Sequence, residues 1–173
     1  MSAPAAPRIH PLTGSTTYFE DFIVGETLVH ARGRTIADAE HITFTNQVLN
    51  TAQIHFNQDL VENDPAMQKQ SGGKRLVVGT YVLAICMGLS SQDTVENAKR
   101  IVSLKNAKHA APVLPFDTVY ARTTVVSKSD APKDPKAGLV TFRLEGLKAD
   151  RTTVCVEAEY TALVKRRPPA IPR

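Results

Sequence analysis

The stretch Val77-Val78-Gly79-Thr80-Tyr81-Val82-Leu83-Ala84-Ile85-Cys86-Met87-Gly88-Leu89 decides how this chain folds. It is apolar nearly all round, and a helix without a polar face has to be wrapped by other structure. Counted from Leu76, the run is too short to span a bilayer and reads as a buried helix. Gly79 stands near its start. A glycine there permits close packing, or lets a ligand approach the backbone where first-turn N–H groups point outward as donors. The sequence leaves both uses open.

Beyond the helix the period changes from helical to alternating. Ile101 to Ala107 is a candidate strand, and Ala111-Pro112-Val113-Leu114-Pro115 a kinked connection. Thr118 to Ser127 alternates, with Val119, Ala121 and Val125 on one side. A polar loop is expected from Ser127 to Gly138. Leu139 to Leu147 sets Val140, Phe142 and Leu144 against Thr141, Arg143 and Glu145. Ala149-Asp150-Arg151 reads as a hairpin turn. Val154, Val156, Ala158, Tyr160, Ala162 and Val164 form the clearest period-two face, which the closing prolines end.

Before the helix, the Pro-rich residues 1–17 are expected to be a mobile or wrapped arm. Tyr18-Phe19-Glu20-Asp21-Phe22 brings aromatics onto the body, and Val24-Gly25-Glu26 looks like a turn. Glu26 to Arg34 is a first strand, with Leu28 and His30 on one face. Thr35 is a candidate N-cap, with Asp38 three residues on. The helix it starts is expected from Ile36 to about Leu49, with Ile36, Ala39, Ile42, Thr43 and Val48 inward. A short helix follows from Gln58 to Glu62, and Asn63 to Lys74 reads as a loop able to act as a lid. One strand, a helical region, one buried helix and then about four strands argue an α+β class. The body is taken as one domain over residues 18–167, with a Pro-rich tail over 168–173.

At 173 residues the chain suits one domain that buries roughly 70% of its unfolded surface. Its 42% hydrophobic and 22% charged residues describe an ordinary globular protein. The net charge of +4 is scattered apart from Lys165-Arg166-Arg167, which argues against a nucleic-acid surface but suits a small phosphate-bearing ligand. Cys86 and Cys155 lie in apolar or strand-like runs and read as buried free thiols, with no zinc-ligand spacing. A reducing, cytoplasmic compartment is the simplest expectation. The N-terminal residues have no apolar core and do not read as a secretory signal.

Asn50-Thr51-Ala52-Gln53-Ile54-His55 carries the chemistry. An imidazole between Ile54 and Phe56 can titrate near neutral pH and move protons. An amide five residues earlier can hydrogen-bond but takes up no proton. The pair could hold one water or one substrate oxygen. Alternatively, Asn50 closes a helix end in a left-handed conformation and His55 is a satisfied core histidine.

Four stretches resemble the MaoC-like enoyl-CoA hydratases, and within them the mesaconyl-CoA hydratase type. They are Tyr18 to Gly25, Gly33-Arg34-Thr35-Ile36, Phe44-Thr45 through His55-Phe56, and Ala111-Pro112-Val113 through Asp117 to Ala121. The resemblance implies a hotdog fold, a curved antiparallel sheet wrapped around a long apolar central helix. The broad motif of that family is Asp-x-Asn-Pro-x-His. His55 occupies its His position, while Asn50, Ala52 and Gln53 stand at its Asp, Asn and Pro positions; the mesaconyl type tolerates Asn at the first. The resemblance further implies that Gly79 N–H holds the thioester oxygen of an enoyl-CoA.

On that reading the chain hydrates an α,β-unsaturated acyl-CoA thioester, with a short branched or dicarboxylic acyl group. His55 does the proton transfer, Asn50 orients the water, and Gly79 polarises the carbonyl. Lys105, Lys108 and Arg122 are candidates for the CoA phosphates, or else solvated strand-edge charges. Coenzyme A is part of the substrate, so no separate cofactor and no metal are expected, and neither nucleic acid nor membrane is a partner. A homodimer or a dimer-based higher oligomer is expected, with Asn50 and His55 near the subunit boundary, because an open sheet leaves edges to cover. The competing functions are a hotdog thioesterase, which needs a carboxylate that Val77 to Leu89 lacks, and a non-catalytic acyl-CoA-binding subunit.

Overall fold

The computed structural model describes residues 8–9 and 17–169. Among them six strands make one sheet: β1 (Arg8–Ile9), β2 (Thr27–Thr35), β3 (Ala98–His109), β4 (Thr118–Asp130), β5 (Ala137–Leu147) and β6 (Val154–Lys165). Their order is β1-β2-β4-β5-β6-β3. β1 runs parallel to β2, and all other neighbours are antiparallel. Helix α4 (Gly79–Thr94) packs against β2, β4, β5 and β6. Three shorter helices, α1 (Asp38–Gln47), α2 (Gln58–Asn63) and α3 (Pro65–Ser71), fill the connection from β2 to α4. An antiparallel sheet wrapped around a central helix is the hotdog arrangement, and the class is α+β as expected. The expected arm and tail fall largely outside the described residues.

Period-two patterning sets the core. Phe142 faces Tyr160 across β5 and β6, Val140 faces Ala162, and Leu144 faces Ala158; all six are buried. The Phe142 ring meets Phe22 edge-on at 5.0 Å and lies 5.2 Å from Tyr160. Each such side chain contributes about 1.5–3 kcal/mol by leaving water. Val119, Ala121 and Val125 of β4 join the same face. The expected loop from Ser127 to Gly138 is shorter than its polarity suggested. Lys128 pairs with Val140 and Asp130 with Gly138, so these polar residues belong to a solvent-facing strand end.

Three elements differ from expectation. Thr35 does not cap a helix: it ends β2, and its hydroxyl lies 2.6 Å from that of Thr118. The chain turns at Ala37, whose N–H donates to Glu40 Oε1 at 3.1 Å. Starting two residues late, α1 turns His41 and Thr45 inward and leaves Ala39, Thr43 and Val48 exposed. The expected lid contains α3. Asp64 caps it by accepting from Ala66 N and Met67 N at 2.8 and 3.0 Å, Pro65 takes the first turn, and Gly72 closes it at φ 64°. Residues that mark a loop in sequence are here the two ends of a helix.

Helix α4 runs five residues past Leu89. Its last turns carry Ser90, Asp93 and Thr94 buried, and the last two meet polar partners in the sheet. Asp93 Oδ2 lies 2.6 Å from His30 Nδ1, and His30 Nε2 lies 3.1 Å from Thr123 Oγ1. Tyr160 donates its hydroxyl to Thr94 Oγ1 at 2.9 Å. The helix is not enclosed on every side: Thr80, Ala84 and Gly88 form an exposed stripe of small residues. Replacing Asp93 by Ala strands buried His30 without its acceptor. The expected loss is about 2–4 kcal/mol, read as a lower urea midpoint with an unchanged slope.

Candidate active site

Helix α1 closes in a Schellman pattern: Leu49 N–H donates to Asn46 O at 3.1 Å and Asn50 N–H to Thr45 O at 3.0 Å. The left-handed residue is therefore Leu49, at φ 56°, and not Asn50 as expected. Asn50 has another task. Its Oδ1 accepts the Ala52 N–H at 2.9 Å, an Asx turn that leads into a one-turn 3-10 helix, Gln53–His55. The side-chain NH2 of Asn50 is left as a donor.

His55 is locked to the segment that precedes α4. Its Nδ1 lies 2.8 Å from Leu76 O, and Leu76 N–H donates back to Ile54 O at 3.1 Å. A carbonyl only accepts, so Nδ1 carries the proton and Nε2 keeps its lone pair. Val77 N–H donates to Val113 O at 2.8 Å, tying the same segment to the loop before β4. His55 is half-buried, so it is neither a fully satisfied core histidine nor a surface one.

A cavity of about 420 Å³ opens here, and it brings His55 and Gly79 together. Apolar groups including Val77, Val82 and Val113 make most of its wall, and Gln70 of α3 and His109 of β3 add polar side chains. Asn50 is not among the lining residues. Gly79 is the first residue of α4, so its N–H has no acceptor within the helix. It also permits close packing: a Cβ at Gly79 would come within 2.5 Å of the His109 ring. Both sequence readings of this glycine thus describe the same place. His109 escaped the sequence reading, although it stands two residues before Ala111 of the Ala111-Pro112-Val113 stretch and meets the glycine that opens the helix.

Lys105, Lys108 and Arg122 stand elsewhere. Each pairs across the sheet: Lys105 with Glu159 at 2.8 Å, Lys108 with Glu157 at 3.1 Å, and Arg122 bidentately with Glu145 at 2.8 and 3.0 Å. None lines the cavity with His55. Cys86 and Cys155 are both free and buried; burial pushes the Cys86 thiol up to about 12 and raises that of Cys155, so neither is a thiolate nucleophile. Among the described residues no cluster of His, Cys, Asp or Glu could hold a metal ion, and no helix is long and apolar enough to cross a membrane.

Next to the segment that holds His55 lies a partly buried polar group. Arg75 donates to Asp38 Oδ2 at 2.7 Å, and Asp38 Oδ1 lies 3.1 Å from His41 Nε2. Arg75 adjoins Leu76, so this group holds the segment that orients His55.

Comparison with known proteins gives the family and the fold. The family model described as mesaconyl-CoA hydratase matches residues 11–172. A β-methylmalyl-CoA dehydratase of Chloroflexus aurantiacus is 30% identical over 169 residues, covering 89% of this chain and 46% of that protein. The crystal structure of a MaoC domain protein from the same organism superposes with a TM-score of 0.79 at 27% identity, over 90% of this chain and 46% of the other. A Mycobacterium tuberculosis protein described as having a double hotdog fold superposes at 0.74 with 20% identity, over 90% and 46% of the two chains, a likeness of fold. The chain spans about half the length, or less, of the curated relatives it matches.

Burial holds His41 below the ordinary imidazole value of 6.5, against the pull of Asp38. Above pH 6.5 the ring is neutral in the folded and unfolded chains alike. Below it the unfolded chain takes up a proton that the folded chain resists, so stability falls as pH falls. Urea midpoints measured from pH 7.5 down to 5 should decline, and His41→Gln should flatten that decline.

Proposed function

We infer, because this chain belongs to the mesaconyl-CoA hydratase family, that it is one hotdog unit of a hydro-lyase acting on α,β-unsaturated acyl-CoA thioesters. It adds water reversibly across the double bond, on a short branched or dicarboxylic acyl group such as mesaconyl. The observation that carries this reading is the lock on His55. Its Nδ1–H is held by Leu76 O at 2.8 Å, which leaves Nε2 basic in the cavity headed by Gly79.

The chemistry follows from those positions. Water gives a proton to His55 Nε2 while its oxygen bonds to the β-carbon. The π electrons move toward the thioester oxygen, where the Gly79 N–H receives the developing charge. The imidazolium then returns a proton to the α-carbon, and the enzyme ends as it began. Asn50, through its free NH2, orients the attacking water. The reaction is redox-neutral and needs only proton transfers, so CoA enters as part of the substrate and no further cofactor is required.

A second hotdog unit completes the enzyme, and we assign that role to a second copy. Two features support this. Edge strand β3 is 12 residues long and exposes Ile101, Val102 and Leu104. Helix α4 leaves its stripe of Thr80, Ala84 and Gly88 uncovered. Long apolar edges invite pairing with another strand. The two unpaired thiols suit a reducing compartment, and we place the enzyme in the cytoplasm.

The thioesterase alternative has less support. Asp93 is a carboxylate on α4, but it stands fourteen residues beyond Gly79, about 21 Å along the axis, and is engaged by His30.

Incubation with crotonyl-CoA and mesaconyl-CoA separates the possibilities. Loss of the conjugated-thioester absorbance without free thiol is the expected result. Thiol release would mean a thioesterase, and no change would mean a binding subunit. His55→Gln should lower hydration by roughly 10²- to 10⁴-fold with the fold intact. Asn50→Asp keeps an acceptor for Ala52 N–H, so activity on simple enoyl-CoAs should persist. Its collapse would mean that the amide donates to a substrate oxygen. Light scattering at micromolar concentration should give a dimer.

A further inference from the structure

We propose that His109 is a second catalytic hydrogen-bond donor, joining the Gly79 N–H at the thioester oxygen. This rests on the hydratase reading above. Strand β3 ends at His109, which pairs with Val156 of β6. The next two N–H groups, of Ala110 and Ala111, both donate to Cys155 O, at 2.9 and 3.3 Å. That double anchor fixes where the strand ends and sets the imidazole on the head of α4.

There, Nδ1 and Cε1 of His109 each lie 2.5 Å from where a Cβ of Gly79 would stand. With ordinary bond lengths, Nδ1 is then within about 5.5 Å of the Gly79 nitrogen. Two donors up to about 5.8 Å apart can converge on one oxygen at about 2.9 Å each. The separation of the two donors thus allows an oxygen bound to the Gly79 N–H, on the side that faces the ring, to be reached by His109 as well. The imidazole has no protein hydrogen-bond partner among the described residues, and it lines the same cavity as His55. A side chain needed only to pack against a glycine could be apolar. A donor is required where charge develops, and enolate formation puts that charge on the thioester oxygen. His109 donates a hydrogen bond and exchanges no proton with the substrate, so His55 remains the sole proton carrier.

The test compares His109→Phe, which keeps a ring over Gly79 without a donor, with His109→Gln, which keeps a donor. His109→Phe should lower kcat by about 10²- to 10³-fold on crotonyl-CoA and mesaconyl-CoA alike, with KM changed far less. His109→Gln should recover part of the loss. Bound hexadienoyl-CoA, whose absorbance reddens when its carbonyl is polarised, should show a smaller red shift in His109→Phe than in the unaltered protein. Unchanged rates and an unchanged red shift would overturn the proposal. A loss confined to mesaconyl-CoA would also overturn it, since His109 would then be reading the second carboxylate. If the unaltered protein hydrates neither thioester, the hydratase reading fails by itself. The hexadienoyl-CoA spectrum then decides His109 alone: a red shift lost in His109→Phe upholds the donor, and no difference refutes it.

Discussion

The sheet grips the two ends of α4 by different means, and the site is a consequence of that asymmetry. At the C-terminal end the grip is polar. His30 meets Asp93 at 2.6 Å and Tyr160 meets Thr94 at 2.9 Å, all of them buried. Such pairs fix the helix lengthwise and in rotation, because a shift of one residue would strand several polar groups at once. At the N-terminal end the grip is packing alone, the His109 ring against the bare backbone of Gly79. The first N–H groups of the helix have no intrahelical partner, and the wall around them is mostly apolar. A helix held firmly at one end can present an unsatisfied end at the other without drifting.

His55 is held to the same helix through one short segment. Leu76 exchanges hydrogen bonds with Ile54 and His55, Val77 is tied to Val113, and Arg75 is tied to Asp38. Three different regions therefore hold the three consecutive residues 75–77, one residue short of α4. The imidazole and the helix end cannot move apart without breaking one of these contacts. That is the fixed spacing that a base and an oxyanion donor require of each other.

The parts of this arrangement that were legible in sequence are those written in periodicity. Val77 to Leu89 announces a wrapped helix, and the alternation of Val140, Phe142 and Leu144 announces a half-buried strand. What escaped depends on contacts distant in sequence. Nothing near Asp93 indicates that His30, 63 residues earlier, will accept burial beside it. Polar Ser90, Asp93 and Thr94 therefore looked like the end of the helix. Pro65 and Gly72 looked like loop residues because the same types both break helices and bound them. His109 had no local signal, since its meaning comes only from the glycine that it touches. Asn50 and His55 stand out in sequence by their spacing, but the left-handed turn between α1 and Asn50 fell to Leu49, which no propensity favours.

The amide at position 50 fits the proposed chemistry in a way that composition alone would not suggest. Its Oδ1 already accepts the Ala52 N–H at 2.9 Å, while its NH2 is left to donate to a water. A donor grips one lone pair of that water and leaves both its protons uncommitted. His55 Nε2 is then the acceptor that the site offers to those protons. A carboxylate at the same position would compete for them. With Asn50, orientation of the water and removal of its proton are divided between two side chains five residues apart. The Asx turn that frees the amide NH2 also starts the turn that carries His55. One short hydrogen bond to Ala52 therefore sets both partners, and the departure from an aspartate at this position is compatible with an active base.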